Sequence, residues 1–328
     1  MIHVLRPGML STVQDLGRTG FQKFGVVAGG AADPFAVRVA NHLTGNEPGA
    51  AVIEMALAGP RLHFDRETLV AWCGADFAVT LDGRPLSKNR PVLVRTESVI
   101  DFTGARRGAM AWLAASGGIT VPEVMGSRST DTGARIGGHE GRALAAGDEL
   151  PTGEPSAWAQ AMMTQLRTSG RDAAWSLVPE SLGKPNGQGM LRVVRGPEWE
   201  WFAPAAQERF TSAIYGVSKD SNRMGVRLEG PPLDLEAPRD MISSAVQHGV
   251  VQVPSSGQPI VLGADRQTLG GYPRIGAVAT ADIGKLAQLR PGEPVRFREI
   301  PQAVAHALLI ERERDLAIAI GHLSTPRL

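Results

Sequence analysis

The sequence predicts a mainly β protein with a few helices, and three observations carry this prediction. Short apolar stretches recur along the chain, and Gly, Pro, Asp and Asn separate them. Glycine (39) and proline (23) together supply 62 of the 328 residues, a density typical of many tight turns. The stretches follow one another without alternating helical segments, which favours a sandwich or barrel over a parallel sheet with crossover helices.

The first helix is predicted at DPFAVRVANHL (33–43). Asp33 is a good N-cap, and Pro34 fits the first helical position. Apolar residues at four-residue spacing give one buried stripe, and Gly45 then ends the helix. A second helix is predicted from Pro301 to Gly321, with apolar residues at helical spacing and charges at 311–315.

The remaining regular elements are predicted as short strands. In the first half of the chain these are 51–57, 69–74, 77–83, 91–95, 98–102 and 109–115. In the second half they are 190–197, 213–218, 224–233, 250–254, 259–263 and 294–300.

The composition of the sequence changes between these two sets of strands. Residues 151–189 contain two loop-like stretches and a short amphipathic piece around 157–166. We therefore expect an N-terminal β-barrel-like domain at 1–150, a connecting segment at 151–189, and a C-terminal barrel domain with a terminal helix at 190–328.

Composition and charge exclude several classes of function. The formal net charge is +1, only five of the 34 basic residues are lysines, and no polybasic run attracts nucleic acid or anionic lipid. No stretch approaches the ~20 apolar residues of a membrane span, and the N-terminus lacks a signal peptide pattern. The expected location is therefore the cytoplasm. Cys73, the only cysteine, lies in an apolar strand and is expected to be structural.

The standard catalytic motifs do not occur in the sequence, so they indicate no activity. The sequence has no GxxxxGK[ST] loop, no GxGxxG after a strand, no GxSxG elbow and no paired histidine spacing, so no metal site is expected. Four loops instead combine an arginine, polar donors and glycine: 13–20, 126–142, 220–225 and 265–273. This composition suits a carboxylate or phosphate, although arginines that close turns and pair with acids would give the same pattern.

Several longer stretches of the sequence resemble those of a known protein family. The resemblance is carried by PGMLSTVQDLGR (7–18), ADPFAVRVANHLTGN (32–46), GSRST (126–130), GGHEGRALAAGDEL (137–150), SNRMGVRLEG (221–230) and VVQVPSSGQPIVLGADRQTLGGYP (250–273). Within these, SNRMG and DRQTLGGYP are the specific motifs. From about residue 4 to 298 the chain resembles the family of biotin-dependent carboxyltransferase-like proteins called KipA or allophanate hydrolase subunit 2.

The resemblance implies a fold of two cyclophilin-like β-barrel domains with a cleft between them. It implies one subunit (PxpC type) of an ATP-dependent 5-oxoprolinase, a hydrolase that opens 5-oxo-L-proline to L-glutamate with ATP and magnesium. It also implies partners: a KipI- or PxpB-like subunit and a PxpA-like subunit.

Candidate site residues follow from the polar loops within this family. Asp265 and Arg266 are the expected catalytic pair, with Asp265 orienting Arg266 or acting as a base near the lactam nitrogen. The arginines suit the carboxylate and phosphate groups of the substrates. The expected substrate- and anion-binding residues are Ser127, Arg128, Ser129, Thr130, Asn222, Arg223, Gln252, Thr268 and Tyr272.

Two other functions stay open at this point. One is a biotin-dependent carboxyltransferase, which would take the flat ring of biotin from a separate carrier protein, with Gln252 and Asn222 suited to that ring. The other is a non-catalytic KipA-like regulator that binds a KipI-like kinase inhibitor.

Overall fold

The computed structural model describes residues 1–177 and 189–321, which fold into two compact units. The first unit comprises residues 1–18, 29–177 and 315–321, and the second comprises 19–28 and 189–314. Both are built mainly from β-strands, so the predicted fold class is confirmed. None of the described helices is both long and apolar enough to span a membrane.

The first unit contains a curled sheet of nine antiparallel strands and two helices. In chain order the elements are β1 (Ile2–Arg6), β2 (Leu10–Gln14), α1 (Pro34–Leu43), β3 (Val52–Ala56), β4 (Arg61–Phe64), β5 (Thr68–Leu81), β6 (Arg84–Pro85), β7 (Val92–Val94), β8 (Val99–Ala115), β9 (Glu149–Leu150) and α2 (Ala157–Ser169). The strand order is β2-β3-β8-β4-β1-β9, and β5 pairs with β6, β7 and β8. One apolar core lies within this sheet, with Trp72 and Phe102 packed edge to face at 5.5 Å.

The second unit contains a closed seven-stranded barrel. Its elements are β10 (Met190–Arg195), α3 (Pro204–Ser212), β11 (Tyr215–Val217), β12 (Gly225–Glu229), β13 (Ser244–Ala245), β14 (Val250–Gln252), β15 (Ile260–Leu262), β16 (Leu269–Gly270), β17 (Arg274–Val278), α4 (Ile283–Leu286), β18 (Pro294–Glu299) and the greater part of α5 (Gln302–Gly321). The barrel order is β10-β17-β14-β15-β12-β11-β18, and β18 closes it by pairing with β10 in parallel. Phe210 of α3 stacks on Phe297 at 4.5 Å inside the core.

The predicted strands mostly form, but two pairs of them are continuous. Residues 69–74 and 77–81 belong to β5, and 99–102 and 109–115 belong to β8. The polar residues that suggested breaks fall at irregularities, since the β5–β8 register shifts between Gly74 and Val79. Cys73 is fully buried in β5, and burial raises the pKa of its thiol.

The domain bounds drawn from the sequence stay a prediction. In the structure, α2 packs its apolar face on β5 and β7, so residues 157–169 belong to the first unit. The part of the connecting segment at 178–188 lies outside the described residues, as does 322–328.

Candidate functional site

The loop at 127–130 wraps around the buried carboxylate of Asp15. Ser127 Oγ and Ser129 Oγ donate to Asp15 Oδ1 at 2.7 and 2.6 Å, and the backbone N–H of Arg128 donates to Asp15 Oδ2 at 2.6 Å. Thr130 Oγ1 donates to the carbonyl oxygen of Val13. The sequence predicted that these hydroxyl groups bind an anion. In the structure they donate hydrogen bonds to Asp15 and Val13 of the same unit.

The side chain of Arg128 is also bound within the first unit. Its Nε donates to the carbonyl of Val121 at 2.9 Å, and its Nη1 lies 2.7 Å from Glu123 Oε1. The arrangement is that of an arginine that closes a loop and pairs with an acid, the alternative that the sequence pattern left open.

In the second unit, Arg223 and Asp265 form a bidentate ion pair. Arg223 Nε lies 2.7 Å from Asp265 Oδ2, and Arg223 Nη2 lies 2.9 Å from Asp265 Oδ1. Each side chain is only 11% exposed. The backbones at Gly263 and Arg223 come close together, and this requires a glycine, because a Cβ at position 263 would lie 2.2 Å from the carbonyl oxygen of Arg223. Asp265 is therefore the counterion of Arg223. The side chain of Asp265 accepts hydrogen bonds from Arg223, which does not support a role in orienting Arg266.

Arg266 and His248 lie beside this pair. Arg266 donates to the backbone carbonyls of Val246, Gly263 and Ala264 at 3.3–3.4 Å, and burial lowers the pKa of its guanidinium. Burial, together with the charges of Arg266 and Arg223, lowers the pKa of His248 to about 4. His248 is thus neutral at pH 7 beside two cations, and no sequence motif pointed to it.

One hydrogen bond joins two of the four remaining predicted residues of this unit, Gln252 and Tyr272. Asn222 Oδ1 accepts from the N–H of Met224 at 2.8 Å and shapes the turn into β12. Gln252 is buried, and its Nε2 donates to the carbonyl of Tyr272 at 3.3 Å. The carbonyl of Thr268 accepts from the N–H of Val246, and the Tyr272 side chain is 47% exposed.

Tyr272 lines a cavity of about 340 Å³ in the second unit, which we call the Tyr272 cavity. Its other lining residues are Ser218, Arg227, Leu228, Glu229, Pro254, Ser256, Gln258, Pro259 and Ile260. All of them except Ser218 belong to the stretches 221–230 and 250–273, which carry the family resemblance. Tyr272 is the one predicted site residue among them.

The charged groups of the Tyr272 cavity come from one strand face. Along β12, Leu228 is buried in the barrel core, whereas Arg227 and Glu229 are exposed on the opposite face. Neither charged side chain forms a hydrogen bond or ion pair with another described residue. Gln258 holds the cavity wall, because its amide both donates to and accepts from the backbone of Gly230. The cavity therefore offers one guanidinium, one carboxylate and one aromatic ring.

The predicted residues thus fall into two groups within separate units. Ser127, Arg128, Ser129 and Thr130 surround Asp15 in the first, while Arg223, Asp265 and Arg266 lie together with His248 in the second. A cleft between two domains stays a prediction. Across residues 1–177 and 189–321, no three His, Cys, Asp or Glu side chains are grouped so that they could hold a metal ion.

The match to a family model defines the class of protein. Residues 24–299 match the model of the carboxyltransferase domain, subdomain A and B, so the chain belongs to this family. The recognition made from the sequence motifs is confirmed.

Particular relatives fall into two groups. The chain is 38% identical to the C subunit of the 5-oxoprolinase of Escherichia coli (strain K12), over 90% of both chains, and 34% identical to the Haemophilus influenzae protein of the same name, over 96% of both. It is also 32% identical to the urea amidolyase of Lachancea kluyveri, where it matches 18% of that longer chain. The crystal structure of the K. lactis urea amidolyase superposes with a TM-score of 0.87 at 29% identity, covering 97% of this chain and 20% of that one.

Proposed function

We propose that this chain is the subunit of an ATP-dependent 5-oxoprolinase that binds 5-oxo-L-proline, and that the lactam binds in the Tyr272 cavity. The observation that carries the proposal is the 38% identity to the C subunit of a 5-oxoprolinase over 90% of both chains. The family stretches that carry the resemblance line the cavity, which supports this location.

The chemistry of the cavity suits 5-oxo-L-proline group by group. The guanidinium of Arg227 has donors for a planar carboxylate. The Glu229 carboxylate suits the lactam N–H, and the ring of Tyr272 with the side chain of Ile260 provides apolar surface for the five-membered ring. A cavity of about 340 Å³ has room for a ligand of this size and for water.

The cavity suits the nucleotide much less well. A triphosphate carries several negative charges, whereas the Tyr272 cavity presents one guanidinium beside one carboxylate. An unstrained lactam is a poor electrophile, so opening it depends on activation by ATP. We assign ATP and its magnesium to the partner subunits, a KipI- or PxpB-like chain and a PxpA-like chain, and we assign substrate binding to this chain.

The predicted catalytic pair takes a supporting role in this proposal. Asp265 already neutralises Arg223, and Arg266 donates to three carbonyl groups, so both residues shape the loop at 263–266. We treat them as positioning residues and transfer the contact with the substrate to Arg227 and Glu229.

The test is 5-oxoproline-dependent ADP release by the chain co-expressed with its partner subunits. Arg227→Ala removes a charge-assisted hydrogen bond worth about 1.5–3 kcal/mol, so KM should rise roughly tenfold to a hundredfold while kcat changes little. Arg298→Ala is the matched control, because Arg298 is an exposed arginine of the same barrel outside the cavity. Unchanged kinetics in Arg227→Ala would exclude the cavity, and wild-type turnover without dependence on 5-oxoproline would exclude the function.

The family model and the urea amidolyase structure favour a second candidate, a carboxyltransferase that works with biotin on a separate carrier. The flat ureido ring of biotin is a five-membered ring with N–H donors, which Glu229 and Tyr272 also suit. Transfer of a carboxyl group from carboxybiotin to urea, in the absence of 5-oxoproline turnover, would favour this candidate. A regulator that binds a KipI-like kinase inhibitor would show neither activity.

A further inference from the structure

A second cavity, of about 360 Å³, lies in the first unit, and none of the residues discussed as a site above lines it. It is lined by Asp76, Phe77, Ala78, Val79, Pro85, Leu86, Ser87, Lys88, Asn89 and Arg106, and we call it the Lys88 cavity. Its walls come from the irregular part of β5, the loop after β6 and the middle of β8. Bulged strands of this kind often aim side chains at functional positions.

The amine of Lys88 is held at the wall of this cavity. Its Nζ donates to the carbonyl oxygen of Gly74 at 2.6 Å, where the strand bulges. Burial lowers the pKa of this amine, Asp76 and Cys73 oppose the shift, and the charge of Arg107 adds to it. A larger fraction of Lys88 than of an ordinary exposed lysine is therefore the neutral, nucleophilic amine at a given pH.

Arg106 and Asn89 also line the cavity, and only Arg106 is exposed. Arg106 is exposed and, within the described part of the chain, its guanidinium forms neither a hydrogen bond nor an ion pair. Asn89 is only 7% exposed, and its Oδ1 is buried with no hydrogen-bond partner. The backbone of Asn89 is fixed, because its N–H donates to Trp72 and its carbonyl accepts from Leu177. The amine of Lys88, the exposed guanidinium of Arg106 and the carboxylate of Asp76 thus line one cavity.

We propose that the Lys88 cavity binds small acyl phosphates and that Lys88 is acylated there. Arg106 suits the phosphate group, since guanidinium groups bind phosphate oxygens with paired hydrogen bonds. The neutral amine of Lys88 attacks the acyl carbon, a C–N bond forms, and the bond between that carbon and the phosphate oxygen breaks. Inorganic phosphate leaves with the electron pair, and the proton of the amine passes to the Asp76 carboxylate or to water. The product is an amide of Lys88.

The experiment treats the full-length chain with acetyl phosphate and measures the acetylation of each lysine by mass spectrometry. Lys285 is the internal control, because its side chain is 54% exposed and its Nζ lies 2.9 Å from the buried carboxylate of Asp282. Lys88 should be acetylated roughly tenfold faster than Lys285. Inorganic phosphate should slow the reaction at Lys88 and leave Lys285 unaffected.

The variant Arg106→Ala distinguishes binding of acetyl phosphate in the cavity from the intrinsic reactivity of the Lys88 amine. This variant should lower the rate at Lys88 with acetyl phosphate roughly tenfold, but leave its rate with an uncharged active ester unchanged. Arg84→Ala is the matched control, since Arg84 is an exposed arginine of the neighbouring β6 that does not line the cavity. Equal acetylation of Lys88 and Lys285, or an Arg106→Ala rate equal to that of the wild type, would overturn the proposal.

Discussion

At the scale of single residues, the arginines of this chain divide into paired and unpaired groups. In the second unit, Arg223, Arg192 and Arg274 each form a bidentate pair with a mostly buried acid, namely Asp265, Asp282 and Glu198. Arg227 forms no such pair with any described residue. The first group contributes to stability and the second is available for binding, although both occur in similar sequence contexts.

The pair of Arg223 and Asp265 gives a prediction about stability. Arg223→Ala leaves the Asp265 carboxylate mostly buried without its counterion, which should cost about 2–3 kcal/mol of unfolding free energy. Thermal unfolding of Arg223→Ala should therefore occur at a lower temperature than that of Arg298→Ala. If Arg223→Ala lost substrate turnover without any loss of stability, its guanidinium would contact the substrate instead.

His248 gives a prediction about pH. Its pKa is about 4 in the folded chain and about 6.5 in an unfolded one, so the unfolded chain binds more protons between these values. The contribution of the neutral ring is complete above pH 6.5 and falls as the pH decreases toward 4. Relative to His248→Gln, the wild type should lose about 3 kcal/mol over this range.

The measurement is thermal unfolding of the wild type and His248→Gln at several pH values between 4 and 7. Other titrating groups affect both proteins alike, so the difference between the two curves reports His248. Parallel curves would mean that His248 keeps an ordinary pKa and lies outside the influence of Arg223 and Arg266.

At the scale of secondary structure elements, α1 shows how much a local sequence can specify. Asp33 accepts hydrogen bonds from the N–H groups of Phe35 and Ala36, and Pro34 occupies the first turn, as predicted. Gly45 follows the C-cap Thr44 with φ +69. All of these signals lie within about twelve residues, so no distant contact was needed to predict the helix.

Asp33→Ala should destabilise the first unit by about 1–2 kcal/mol, because two N–H groups at the start of α1 lose their acceptor. Asp33→Asn keeps an acceptor oxygen at the same place and should retain most of the stability. Thermal unfolding of the two variants compares them directly. Equal losses would assign the effect to the charge of Asp33 rather than to the cap.

Other elements could not be predicted from local signals. The sequence indicated breaks within β5 and β8, but pairing along their whole length keeps each strand continuous through the bulges. The helix α3 was missed, although Pro204 occupies its first turn, because the segment is short and only Ala206 and Phe210 are buried in it. In both cases distant contacts outweigh the local preference.

The candidate site could be predicted only in part for a similar reason. The motifs singled out 221–230 and 250–273, and residues of both stretches, Tyr272 among them, line a cavity of the second unit. They did not indicate which side chains face it. One available signal was the alternation in VRLE (226–229), which separates apolar Val226 and Leu228 from Arg227 and Glu229.

At the scale of the whole molecule, the relatives named as one subunit of a 5-oxoprolinase imply that the chain works with other subunits. This similarity favours a protein whose activity requires assembly.

We therefore expect stable association with a KipI- or PxpB-like chain. Gel filtration of the co-expressed pair should give one joint species of larger size than either chain. The chain expressed alone provides the reference elution volume. Two separate peaks at micromolar concentrations would contradict the prediction.

The parallel pairing of β10 with β18 has a consequence for the synthesis of the protein. Met190 pairs with Arg296, and Val193 pairs with Glu299, so the first strand of the barrel is completed by the last. A ribosome that has made the preceding six strands still exposes two unpaired strand edges, because the closing strand has not emerged. The closing strand begins about a hundred residues after β10 ends, so a nascent chain paused before residue 294 is the form most exposed to aggregation.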